Sequence, residues 1–358
     1  MVLFISFFKK FPALFYSAFF IVSIEIILHF IPRLEYLEHG GSFYTFYKRK
    51  IAEDPAQNFD ILLFGDSRSL SLNGFTKKEQ DHSLYNFSLP AAGPRYVQYY
   101  LKKYLELHSE KPRSVVWALD VEQYPMAKSK TFDGDKKLWE TYKHRLLNLF
   151  SFQDSLEQYS GTELLFIMKE YLPTIFYTYK YREGLKDLLN SLKADTFIKG
   201  ETYHTIQNKL IETLTAKQNG QLNLGDYFLA NEEQGTLGYE SSYNQLNKEE
   251  VDFSFQPLED FINYAHKNKI KVTILILPKA GSLYDTTALK PILKKLRSDF
   301  INRKNVQLLE FPELNYPRNL FSEGIHYNTN GANILNKEYM NTIVPKIINF
   351  SKDSYNEN

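Results

Sequence analysis

Cysteine is absent from the 358 residues. That excludes disulfides, thiolate-bound metals and a cysteine nucleophile, and it fits a cytoplasm or an oxidising envelope alike. Charge of one sign is lacking too: 43 Lys and Arg stand against 42 Asp and Glu, a formal net charge of +1. Such a chain has no global basic field with which to gather polyanions, so nucleic acid is not an expected partner. No His/Asp cluster occurs at metal-ligand spacing, which disfavours a metal-dependent hydrolase, and no cofactor is expected.

A signal-peptide cleavage site is missing as well. Residues 11–31 are nearly all apolar, Lys9 and Lys10 precede them, and no small-x-small pattern follows before Pro32. A run of this length is about enough to cross a bilayer as a helix, so the sequence predicts an uncleaved transmembrane anchor over residues 1–32. Glu25 and His29 interrupt the run one helical turn apart. Charge at membrane depth is expensive, which makes the two residues candidates for contact with a membrane-protein partner; a local pairing between them is the alternative. Lys9 and Lys10 favour an inside N-terminus, while Arg33 and the cluster at residues 48–50 lie beyond the other end. The expectation is a single-pass protein of the cytoplasmic membrane whose main domain lies outside, on the periplasmic or extracellular face.

What the chain does have is concentrated in two short stretches. The first is DILLFGDSRS at residues 60–69. Its apolar run at 61–64 shows no alternation, as expected of a parallel strand covered on both faces. Gly65 permits a sharp turn and a close backbone approach. Ser67 then stands at the carboxyl end of a strand, where open α/β sheets place their ligand sites. That is a position for a nucleophile; helix capping by Asp66 or Ser67 is the structural alternative. Arg68, next to the serine, either binds an anionic group or forms a surface salt bridge. The second stretch is FSEGIHYNTNGA at residues 321–332, where Glu323 precedes His326 by three residues just before a predicted C-terminal helix. Serine catalysis requires a base within hydrogen-bond reach and a carboxylate that fixes the tautomer of that base.

Gly-Asp-Ser after the first strand and acid-x-x-His before the last helix, in that order, resemble the SGNH (GDSL-like) hydrolase superfamily. The resemblance covers residues 58–125 and 252–348, about half the chain. It implies that Ser67 is the nucleophile, His326 the base and Glu323 the orienting acid, with glutamate in place of the usual aspartate. The second block of the family supplies an oxyanion-hole glycine, and NFSLPAAG at residues 86–93 makes Gly93 the match. The third block, Gly-x-Asn-Asp, is missing. Its place is taken by VVWALDVEQ at 115–123, where Asp120 ends the strand and Gln123 is the candidate donor to an oxyanion. The N-terminal anchor, the missing third block and a central helical insertion resemble the envelope-polysaccharide members of the superfamily. These include alginate O-acetyltransferase-like proteins and the D-alanine transfer protein of teichoic acid synthesis. The implied activity is a serine esterase or O-acyltransferase with an acyl donor and a glycan acceptor. The alternatives are a catalytically decayed protein that binds envelope glycan or assists assembly, and a cytoplasm-facing lipase.

Taken in order, a polar and aromatic connector (33–57) leads into the first half of the SGNH-like domain (58–125). Further strands are predicted at 85–89 and 114–119, with a helix at 96–108 between them; this βαβ spacing commits the sheet to parallel pairing. Residues 126–250 break the rhythm and read as a helical and loop insertion with helices at 138–150 and 162–192, the second interrupted at Pro173. The aromatic cluster at 176–181 suits core packing, sugar stacking or a membrane surface. The second half (251–350) resumes with a helix at 257–268, a strand at 271–277, a helix at 289–300, a strand at 306–311 and a helix at 330–348; residues 351–358 are a tail. The predicted fold class is α/β, a three-layer α/β/α architecture with a parallel, flavodoxin-like sheet.

Overall fold

The structure is a computed structural model. It describes residues 12–30, 48–49, 51–89, 94–119, 121, 156, 161–182, 185–186, 240, 243–244, 247, 254–322, 326–353 and 355. The chain divides into two compact units, one of residues 1–47 with 139–210, the other of residues 48–138 with 211–358.

The described strands of the second unit are β1 (Ile61–Gly65), β2 (Leu84–Asn86), β3 (Ser114–Leu119), β4 (Lys271–Ile276), β5 (Lys279–Ala280), β6 (Val306–Glu310) and β7 (Asn315–Tyr316). Five of them form one sheet in the order β2-β1-β3-β4-β6, each neighbouring pair parallel. β5 and β7 pair separately, also in parallel. The register sets Gly65 beside Ala118 and Leu119 beside Ile276, so the carboxyl ends of the central strands share one edge. β1, β3 and β4 are buried at every position, which is why their sequences are mostly apolar. β6 closes the sheet, and Gln307, Leu308 and Glu310 are half-buried on it.

The described helices are α1 (Pro12–Phe30), α2 (Pro94–Leu107), α3 (Gly161–Tyr171), α4 (Gln256–Lys267), α5 (Leu289–Phe300), α6 (Thr329–Glu338) and α7 (Val344–Lys352), with a few shorter turns. Strand side chains alternate between faces, and the two faces of the sheet have different partners. Phe64 and Trp117 meet Phe261 of α4, ring centroids 6.2 and 4.9 Å apart. On the other face Ile61, Leu63, Val116 and Leu275 share a core with Leu335, Tyr339, Ile343 and Ile347. Helices therefore cover both faces of a parallel α/β sheet.

The predicted strands and helices of this unit are present within a few residues of their expected bounds, and β3 and α5 match them outright. The last helix differs. It is α6, then a π-helical turn at Tyr339–Ile343, then α7. Pro345 lies in the first turn of α7; its missing N–H and its ring break the i→i−4 ladder there, and a π turn absorbs the mismatch.

In the first unit, α1 is described over the 19 residues Pro12–Phe30. Among the described residues no helix is long and apolar enough to cross a membrane, so the anchor expected over residues 1–32 is not found there. Glu25 and His29 are engaged within the chain. The Glu25 carboxylate accepts from the Tyr177 and Thr178 backbone N–H groups and from the Thr178 hydroxyl, the last at 2.8 Å. His29 stacks on Tyr177 at 3.8 Å between centroids, and its Nδ1 lies 3.8 Å from the Glu25 carboxylate. The interruption predicted at Pro173 is a 3-10 turn at Leu172–Ile175 that follows α3.

Candidate active site

Ser67 stands just past the end of β1, on a turn that the sequence cannot make with another residue at position 65. A Cβ on Gly65 would lie 2.7 Å from the Ala118 carbonyl oxygen on neighbouring β3 and 2.1 Å from Ser69 Oγ. The next residue tightens the turn: Asp66 Oδ1 accepts from the Arg68 backbone N–H at 2.9 Å, and its Oδ2 takes the Arg68 guanidinium at 3.1 Å. Both side chains are buried. Arg68 is therefore part of an internal ion pair and not the surface bridge that was the alternative to anion binding. Ser69 Oγ lies 2.9 Å from the Asp66 carbonyl and 2.8 Å from Ser88 Oγ.

Two buried asparagines hold the chain that follows. The Asn86 side-chain amide donates to the carbonyls of Ser69 and Leu72, both at 2.8 Å, while its oxygen accepts from the Ser88 N–H. Asn336 on α6 donates to the Ser71 and Ala332 carbonyls and accepts from the Asn73 N–H at 2.8 Å. A side-chain amide has two donors and one acceptor oxygen, so each asparagine can satisfy several backbone groups that no sheet or helix serves.

The histidine loop is anchored by different means. Phe321 and Tyr327 form an isolated antiparallel bridge, and the His326 carbonyl accepts from the Ser322 N–H at 2.9 Å. Asn328 caps α6 through the Gly331 N–H at 2.9 Å and donates to the Asn319 carbonyl at 2.7 Å. A Cβ on Gly331 would meet the Leu320 carbonyl oxygen at 2.0 Å. Tyr327, fully buried, donates to the Pro278 carbonyl, and burial pushes its phenol well above the usual range.

The two loops, 259 residues apart in sequence, bring Ser67 Oγ to 2.7 Å from His326 Nε2. Both side chains are half-buried, so the pair is open to a ligand. The hydroxyl does not cap a helix. The 3-10 turn at Ser69–Ser71 has Arg68 as its N-cap residue and no side-chain cap. A hydroxyl at this distance from an imidazole nitrogen can pass its proton to the ring as it attacks an electrophile. Glu323, Gly93, Gln123 and Asp120 lie outside the described residues. Among the described residues no group of three or more His, Cys, Asp or Glu side chains could hold a metal ion.

Sequence reasoning missed Asn86, Asn336 and Ser88. A lone asparagine has no periodicity and joins no motif; the only hint is a polar residue at the end of an apolar strand. Lys48, the first residue of the basic cluster at 48–50, is fully buried in the second unit and donates to the Ser88 carbonyl.

The model of the family described as "Protein of unknown function (DUF1574)" matches residues 44–346. No curated protein matches the chain. The matched region is most of the chain and includes every residue of the site.

Proposed function

We propose that this chain, which belongs to the family described as "Protein of unknown function (DUF1574)", is an SGNH-like serine esterase or O-acyltransferase that acts on a cell-envelope glycan through an acyl-serine intermediate. The observation that carries the reading is the 2.7 Å contact between Ser67 Oγ and His326 Nε2. Two further features support it. The pair sits at the carboxyl edge of a parallel sheet, where open α/β folds bind ligands. The strand order β2-β1-β3-β4-β6 is also that of the flavodoxin-like, three-layer arrangement implied by the SGNH resemblance.

In this mechanism His326 Nε2 takes the Ser67 proton as Oγ attacks the acyl carbonyl, and the resulting oxyanion is held by backbone N–H groups, Gly93 being the family match and Gln123 a further candidate. His326 then returns the proton to the leaving oxygen, which leaves an acyl group on Ser67. Water or a sugar hydroxyl, deprotonated by the same imidazole, attacks that ester and frees the serine. Glu323 orients the ring. No cofactor enters the scheme. The domain acts outside the cytoplasmic membrane, held there through α1, whose Phe19, Phe20, Ile21, Ile26, Ile27 and Phe30 are all exposed; a stable apolar surface of this kind requires lipid or a partner protein over it.

The alternative, a decayed fold that only binds glycan or assists assembly, loses ground to the same contact, because a decayed site has no need to keep nucleophile and base within hydrogen-bond distance. Hydrolysis of 4-nitrophenyl acetate, with and without oligosaccharide acceptors, tests the proposal. Wild type releases nitrophenol and acylates an acceptor, and Ser67→Ala does neither. Equal activity in the two proteins sinks it.

A further inference from the structure

Away from the serine, a cleft of about 490 Å³ opens between α5 and the end of β6. Its floor is apolar, formed by Leu293, Phe311 and Leu314, and its wall is the basic side of α5. Lys290 and Lys294 are one helical turn apart there, both exposed, and among the described residues neither has an ion-pair partner. Arg297 also lines the cleft, but its guanidinium is engaged by Glu310 through two contacts of 2.7 and 2.8 Å, a charge-assisted pair that keeps it above its ordinary range. Asp285 is the remaining carboxylate of the lining. The lining therefore carries two ammonium groups and one carboxylate that has no ion-pair partner among the described residues, and the cleft retains a net positive charge over an apolar floor.

Its position matters as much as its charge. Glu310 and Phe311 mark the carboxyl end of β6, so the cleft opens on the same edge of the sheet as Ser67. β6 is three strand positions from β1, about 14 Å along that edge at the usual spacing. A small acyl ester does not extend that far. A polymer does.

We infer that the cleft is an acceptor subsite that takes an anionic group, carboxylate or phosphate, borne by a carbohydrate chain lying along the carboxyl edge. The inference rests on the acyl-serine reading for its orientation but not for its chemistry: Lys290 and Lys294 receive the anion as rotatable ammonium donors, while the apolar floor takes the non-polar face of a sugar ring.

The test measures binding to the immobilised full chain in neutral detergent, with polygalacturonate as a carboxylate polymer, polyphosphate as a phosphate polymer and dextran as a neutral one. Wild type binds at least one polyanion and not dextran, and the preferred polyanion identifies the anionic group. Lys290→Ala with Lys294→Ala weakens that binding about tenfold, the scale of two exposed charge contacts, and the double arginine variant restores it. Lys295→Ala, on the same helix but paired with Asp299 at 2.7 Å and outside the cleft, leaves binding unchanged. The inference is overturned if wild type binds neither polyanion, if the alanine pair binds as wild type does, or if Lys295→Ala weakens binding as much. Labelling of Ser67 by a fluorophosphonate reads the other half independently. It is unchanged in the alanine pair, and its absence from wild type would count against the acyl-serine reading and leave the binding result standing.

Discussion

The serine loop and the histidine loop reach the same place by different routes. After β1 the chain is held by its own Asp66, Ser69 and Ser71 side chains and also by side chains from elsewhere: Asn86 from β2 and Asn336 from α6 bind its carbonyls and the Asn73 N–H. The loop before α6 is held largely from within, by the Phe321–Tyr327 bridge, the Ser322–His326 backbone bond and the Asn328 cap. Yet both use a glycine to press backbone against backbone, Gly65 on Ala118 and Gly331 on Leu320. In both the fixed atoms are main chain, and the functional side chain is left to meet its counterpart. The comparison teaches that the reactive pair is aligned by immobilising the main chain of the two turns that carry it.

Changes at the pair should have the largest effects. Ser67→Ala or His326→Ala each lowers kcat on an acyl ester by on the order of 10⁶-fold, and the double variant is no worse than either single, because the two act as a unit. Steady-state kinetics of the three proteins checks this; additive losses would mean that the side chains work separately.

Next come the glycines. Gly65→Ala must displace the Ala118 carbonyl or Ser69, at a cost of about 1–3 kcal/mol as for other overpacked sites, read as a lowered urea midpoint together with lost activity.

The asparagines distinguish the two routes. Asn336→Ala strips partners from the Asn73 N–H and the Ser71 carbonyl, a loss of about 1–3 kcal/mol, and lowers kcat because the serine turn loosens. Asn328→Ala removes a helix cap, about 1 kcal/mol. Urea melts alongside kcat for both variants test the contrast. If Asn328→Ala proves the more damaging to both, the account of how the two loops are held is wrong.

The smallest effect lies at the opposite edge of the sheet. Asp60, just before β1, accepts from the Ser83 N–H and hydroxyl, both at 2.9 Å. Burial disfavours its charge, but those bonds and Lys77 outweigh burial and hold the carboxyl below its usual value. Its folded value is the lower one, so its stabilising contribution is complete above the unfolded value, about 4, and disappears as pH falls through the folded value. Urea melts of Asp60→Asn should be less stable than wild type at pH 7 and approach it in acid. A constant difference across pH would contradict the assignment.

The sheet was legible because its strands obey one rule. Residues 61–64, 115–119 and 274–276 are apolar without alternation, and each lies in a strand buried on both faces. α4 and α5 show their buried stripes at helical spacing, Leu258, Phe261, Ile262 and Ala265 on the one and Leu289, Ile292, Leu296 and Phe300 on the other. The Ser67–His326 contact followed from motif order. Single-residue causes were not legible. The π turn stems from one proline acting on carbonyls four residues back, and the asparagine clasps depend on backbone groups that only the folded chain leaves unpaired. For Arg68 the sequence offered anion binding or a surface salt bridge, because nothing in it indicates that Asp66, two residues away, turns inward with the arginine. Nor was the setting of Glu25 legible: in sequence it interrupts an apolar run, and only the folded chain brings the backbone N–H groups of Tyr177 and Thr178 to its carboxylate.

Intact-mass analysis after exposure to a fluorophosphonate tests the central claim most directly, with wild type, Ser67→Ala and His326→Ala run side by side. The Ser67–His326 contact predicts one adduct on wild type and none on either variant, all three being folded by circular dichroism. A folded wild-type protein that takes up no probe, or an adduct that survives Ser67→Ala, would contradict the claim that His326 activates Ser67.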